Sequence, residues 1–217
     1  MYLIDQTYFI KQYSIPNIND AGDALTVLEQ YIDEFGRKYM KNALGREFAT
    51  FDAVLVSGLF PDPPTGIAQK WIDLVNGVEY TKDGKTYKWE GLLRTEGTFK
   101  SSPITPYVYY YWLSENVTTV TALGEATIEA KNATSANSTQ RLVTTWNEML
   151  GMYQGECADA NWRGDFYYHS GVPIFDYYGG REENNYVSLL TYLTDNETTY
   201  PDAARLRMEG VKNQLGL

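Results

Sequence analysis

His169 is the only histidine of the chain, so a Ser/His pair or an imidazole metal site would have to be centred on it. Asp165 and Ser170 lie close to it in sequence, yet neither a nucleophile elbow nor an HExxH helix accompanies them. The better reading of His169 is a packed or hydrogen-bonded structural side chain. Two carboxylates across a sugar-sized gap can hydrolyse a glycosidic bond, and Glu182-Glu183 or Asp159 with Asp165 could supply such a pair. With 28 Asp and Glu in the chain, however, neighbouring acids arise without function. A solvated face or Asx turns account for them better. Gly179-Gly180 is not followed by the Lys-Ser/Thr of a phosphate loop, and Gly84 belongs to a hairpin signal. Cys157 stands alone, which leaves no disulfide framework and no thiolate metal site. Trp162, Tyr167, Tyr168, Tyr177 and Tyr178 could form a platform for sugar rings, and an aromatic-rich carbohydrate-binding module is therefore the alternative reading. A Tyr-rich packed loop or subunit interface explains the same residues more simply. No catalytic, cofactor-binding or metal-binding residue is assigned, and a non-enzymatic protein is expected.

Bulk composition narrows the class. A chain of 217 residues is long enough for one domain with a real core. Its 19 Tyr and 5 Trp provide large amphipathic contact area of the kind enriched at interfaces. The net charge of −10 argues against a phosphate-neutralising nucleic-acid binder, which needs a basic face. It suits instead a surface past which DNA slides without sticking. No apolar run approaches the length of a membrane span, and Met1-Tyr2-Leu3-Ile4-Asp5 lacks the basic and apolar regions of a secretory signal. The expectation is a soluble protein folded in a reducing cytoplasm, in which the sequons at Asn116, Asn132, Asn137 and Asn196 are chance products of Asn/Thr richness.

The elements that would position any site are mainly helical. Residues 4–18 read as a short helix or extended lead, closed by Pro16. Asn19-Asp20 can cap a strongly amphipathic helix with Leu25, Leu28, Ile32, Phe35, Tyr39, Met40, Ala43 and Leu44 on one face, stopped at Gly45. Phe48, Phe51, Val54 and Leu55 continue as a second short helix, and Gly58 to Gly66 is a breaker-rich loop. Gln69 to Val75 predicts a helix carrying Trp71, and Asp83-Gly84 between two Tyr-bearing alternating runs predicts a β-hairpin over 77–90. Leu92 to Phe99 reads as a helical turn. Thr105 caps the next helix, with Pro106 at its first position and Asn116 at its end. Ser138 to Tyr153 forms another, with Leu142, Trp146, Met149, Leu150 and Tyr153 on one face. Tyr186 to Leu193 predicts a short helix, and Pro201 opens a last one through Ala204, Leu206 and Met208. The fold class is mainly α: a single domain over 1–217 made of N-terminal helices (20–57), the hairpin, a helix-arm-helix unit (105–155) and an irregular aromatic-rich region (156–217).

Between the two helices of that unit, Asn116 to Ala130 is Thr/Val-rich with little apolar content to bury. Alone it would be a marginal strand pair with unpaired edges, and such an arm needs a partner. Val117, Thr119, Val120, Leu123, Thr127 and Ile128 are its candidate inter-subunit residues. Tyr107, Tyr111 and Trp112 on the preceding helix are the candidate interface aromatics.

The wording of three stretches adds a family resemblance. LEQYIDEFGRKYMKNALGREF (Leu28 to Phe48) resembles the opening helix of phage head-to-tail connector proteins. QKWIDLVNGVEYTKDGKTYKWEGL (Gln69 to Leu92), SPITPYVYYYWLSENVTTVTALGEATIEAKNA (Ser102 to Ala133) and RLVTTWNEML (Arg141 to Leu150) are similar to neck proteins of tailed phages of gut Bacteroidetes, the crAss-like group included. The resemblance covers residues 25–153 and carries no chemistry. It implies a virion component assembled in the host cytoplasm as a homo-oligomeric ring of twelve copies. Such a ring would bridge the portal protein and adjacent neck or tail proteins and leave a channel for DNA without binding it specifically. Carried onto this chain, the arm would be Val117 to Lys131, reaching a neighbouring subunit.

Overall fold

The computed structural model describes residues 2–16, 18, 23–56, 69–116, 118–121, 124–127, 138–155 and 185–209. The architecture is mainly α-helical with minor β content, which among the described residues consists of three separate two-stranded antiparallel pairs.

The lead is not a continuous helix: it makes two 3-10 turns, Gln6–Tyr8 and Lys11–Tyr13. Asp5 caps the first by accepting from Thr7 N at 2.8 Å. Helix α1 (Asp23–Leu44) follows, and Leu28, Ile32, Phe35, Tyr39, Met40, Ala43 and Leu44 are buried on one face, as the three-and-four spacing predicts. Gly45 at φ +56° closes it in the left-handed region, and Ala204 packs so near that a side chain there would collide. After one 3-10 turn comes α2 (Phe48–Val56), whose Phe51 is buried.

Helix α3 (Gln69–Asn76) buries Trp71, Leu74 and Val75. It runs straight into the hairpin β1 (Val78–Lys82) and β2 (Lys85–Trp89), turned at Asp83-Gly84 as the sequence predicts. Gly77 and Gly91, both at φ +89°, let these two passages of backbone nearly touch; a Cβ on Gly91 would lie 2.5 Å from Val75 O. Leu92 N and Leu93 N then donate to Leu74 O and Val75 O.

Residues 92–99 are not a helical turn. Arg94–Glu96 (β3) pairs with Phe99–Ser101 (β4) across a tight turn at Gly97, which takes φ +59°. Helix α4 (Ile104–Asn116) begins one residue before the expected Thr105 cap, and Ser102 Oγ accepts from Ile104 N instead. Its N-terminal half is buried, and it packs against both α1 and α5 (Ser138–Gln154). Between those helices, β5 (Thr118–Thr121) and β6 (Gly124–Thr127) form a hairpin.

Tyr186 does not open a helix; it forms a parallel bridge with Lys88, and Ser188 caps α6 (Leu189–Asp195) by accepting from Thr191 N. Nor does Pro201 start a helix: residues 203–209 carry no regular structure. Arg205, at φ +49°, fixes that course through its side chain on Tyr200 O (2.7 Å) and Leu193 O (3.1 Å), and its N–H donates to Ala43 O. The expected loop at 58–66, the cap at Asn19-Asp20 and the region 162–180 lie outside the described residues.

Candidate assembly surface

Helix α4 is a strip of aromatics between two other helices, and its two halves differ. Tyr107 is 2% exposed. Its ring meets Tyr39 at 5.4 Å and Trp146 at 6.1 Å, and burial pushes its hydroxyl well above the usual tyrosine range. Tyr107 therefore belongs to this chain's own core: at that point of α4 the flanks are occupied by α1 and α5. Tyr111 and Trp112, one turn further on, remain half-buried.

Tyr111 stacks on Phe35 with centroids 4.1 Å apart and planes 10° apart, and Phe35 in turn stacks on Tyr31 at 5.6 Å. Lys38 Nζ lies 4.9 Å from the Tyr111 centroid and 5.6 Å from that of Phe35. A cation held over aromatic faces is stabilising by electrostatic attraction to the ring quadrupole. At the arm end of α4, Tyr31 donates its hydroxyl to Glu115 Oε2 at 2.5 Å. Burial first, and then that contact, push the Tyr31 hydroxyl up to about 12. The result is a stacked, partly exposed tier joining α1 to the last turn of α4, beside the root of the hairpin. Spacing alone placed Phe35 in the core; the register between α1 and α4 that brings Tyr31 and Lys38 to the same tier is a tertiary fact.

The hairpin has the register Thr118↔Thr127, Thr119↔Ala126, Val120↔Glu125 and Thr121↔Gly124, and neither strand pairs with any other strand among the described residues. Thr119, Val120 and Thr127 occupy positions in these strands, whereas Val117, Leu123 and Ile128 lie outside the described residues.

A second cluster lies where α5 meets the lead. Tyr13 donates to Glu148 Oε2 at 2.8 Å, and burial raises the Glu148 carboxyl above the usual carboxylate range. Arg141 on the same helix donates to Gln12 O at 2.8 Å and lies over the Tyr109 ring. One half-buried acid bonded to a tyrosine pins two elements together; hydrolysis would require a second carboxylate or a nucleophile beside it.

The remaining candidates, His169 with Asp165 and Ser170, Glu182-Glu183, Asp159, Cys157 and the platform Trp162, Tyr167, Tyr168, Tyr177 and Tyr178, all lie outside the described residues. Among the described residues no cluster of His, Cys, Asp and Glu could hold a metal ion, and no helix is long and apolar enough to cross a membrane. No protein-family model matches the chain, and neither a curated protein nor a solved structure is similar to it.

Proposed function

We propose that this protein is a non-enzymatic structural component of a phage virion, forming a ring in the head-to-tail connector between the portal and the tail. The observation that carries this reading is the β5–β6 hairpin: two four-residue strands that leave the end of α4 and pair only with each other among the described residues. A lone two-stranded pair is marginal in water, and joining a neighbour removes its open edges. Repeated around a closed ring, one such contact per subunit satisfies every copy. Tyr31 and Tyr111, stacked on either side of the buried Phe35 at the hairpin's root, add partly exposed aromatic area suited to a contact between copies. A net charge of −10 fits a lumen through which DNA passes without adhering. The resemblance of residues 25–153 to neck proteins supports a position beneath the portal.

Quantitative mass spectrometry on purified phage particles, with labelled peptides of this chain beside portal peptides, tests the reading. A ratio near one copy per portal subunit is expected. Absence from the particles would overturn it.

A further inference from the structure

The lead and the start of α4 enclose a cavity of about 110 Å³, lined by Ile10, Lys11, Tyr13, Phe99, Lys100 and Thr105 among others. Its walls are mainly apolar ring and aliphatic surface, and its mouth is basic. Lys11 Nζ lies 4.6 Å from the Phe99 centroid, and no carboxylate is within ion-pair reach of it among the described residues. Lys100 Nζ contacts Thr7 Oγ1 at 2.6 Å and reaches Asp5 only at 3.8 Å. Thr105, 2% exposed on the cavity wall, holds its hydroxyl without a hydrogen-bond partner among the described residues. Lys11 and Lys100 line the cavity, Asp5 stands 3.8 Å from Lys100, and the neighbouring Glu148 carboxylate is taken by the Tyr13 hydroxyl, so the two ammonium groups are what the cavity offers an incoming carboxylate.

From this geometry we infer that the cavity is the receptor for the β5–β6 arm of a neighbouring copy. The inference rests on the ring reading above and adds the place where the arm docks. An apolar cavity of about 150 Å³ holds benzene, so this smaller one takes a branched aliphatic side chain. The arm offers Val120 and Glu125 at facing register positions, an apolar group and a carboxylate at one level of the hairpin. Val120 fills the cavity while Glu125 meets Lys11 and Lys100 at the mouth, and the hydroxyl-rich strand brings groups able to pair with Thr105.

The arm's own cavity is the wrong one. The hairpin leaves the C-terminal end of α4, and the cavity lies at the N-terminal end of the same 13-residue helix. At 1.5 Å per residue these ends are roughly 20 Å apart, whereas a four-residue strand spans only about 14 Å. Both long flanks of α4 are also taken by α1 and α5. Donor and receptor at opposite ends of one helix give a head-to-tail contact, the kind that closes into a ring.

The test uses the full chain. Sedimentation velocity measures self-association of the native protein, an arm-deleted protein, Lys11→Glu/Lys100→Glu, Glu125→Lys, and the chain carrying all three substitutions, with circular dichroism to confirm folding. In parallel, a synthetic peptide of residues 116–131 is titrated into the isotopically labelled native chain, which needs no variant to fold. The expected result is association weakened on the order of tenfold by either charge reversal, recovered in the combined variant, and peptide-induced shifts at Lys11, Phe99 and Thr105. Association lost on arm deletion but unchanged by the lysine reversals, with peptide shifts elsewhere, would overturn the receptor assignment and leave the ring reading standing. Absence of both self-association and peptide binding would overturn the two together.

Discussion

The two hairpins β1–β2 and β5–β6 are built from similar lengths of chain and differ in their strand neighbours among the described residues. In β1–β2 the last residue, Trp89, is fully buried, stacks on Tyr192 at 5.7 Å and donates its indole N–H to Leu74 O at 2.9 Å. Tyr80 and Lys82 both reach Asp195 on α6, at 2.7 and 2.5 Å, and the outer edge of β2 receives residues 185–187 as a short parallel partner. The β5–β6 pair has no such strand neighbour among the described residues. A two-stranded hairpin is marginal on its own in water, and a covered face and a paired edge, as β1–β2 has, remove that weakness.

The largest effect is expected from removing the anchor of the first hairpin. Trp89→Ala should cost about 3–5 kcal/mol, through lost ring packing and loss of the indole bond to Leu74 O, which keeps Leu92 N as its donor, measured by chemical denaturation. A loss under about 1 kcal/mol would break the contrast, because β1–β2 would then be no better held than the arm. Gly91→Ala comes next. Its φ of +89° and the 2.5 Å approach of a new Cβ to Val75 O both oppose it, for a cost of about 1–3 kcal/mol or more, read as a lowered denaturation midpoint.

Glu148→Gln sharpens the comparison on the side of α5, the helix that follows the arm. Burial raises the folded-state Glu148 carboxyl above its unfolded value, while the Tyr13 hydroxyl bond pulls the other way. The folded chain therefore holds that proton more tightly than the unfolded chain. Stability from this group is fully present below the unfolded carboxylate range and is lost as pH rises through the folded value. Glutamine keeps an acceptor for Tyr13 without the charge, so the variant should equal or exceed the native chain at neutral pH and show a flatter decline between acidic and neutral pH. A variant with the native slope would show that Glu148 is not the titrating group.

The smallest effect on stability is expected from the arm itself. Replacing residues 117–130 by a Gly/Ser linker should shift unfolding by no more than about 0.5 kcal/mol, leave helical circular dichroism intact, and abolish incorporation into particles. Normal incorporation would sink the role of the arm.

Much of this contrast was legible in the sequence. The face of α1, the Asp83-Gly84 turn, the helix carrying Trp71 and the poverty of apolar residues in the arm are local patterns with local causes. The β3–β4 pair was not, because three-residue strands are too short to show alternation, and only the left-handed demand at Gly97 marks the turn. The segment after Pro201 has helical spacing, but its backbone and Arg205 find partners on α1 and α6 that no periodicity reveals. Tyr107 looked like interface because α4 is aromatic on all sides, and which ring faces inward depends on the placement of α1 and α5. The basic mouth at Lys11 and Lys100 joins residues 89 positions apart, beyond the reach of any spacing rule.

Hydrogen–deuterium exchange on both hairpins, in the isolated chain and in purified particles, tests the central claim most directly. The amides of β1–β2 should be protected in both states, and those of β5–β6 should exchange fast in the isolated chain and slowly in the particle. Equal protection of β5–β6 in the two states would contradict the account, because the arm would then have gained no partner on assembly.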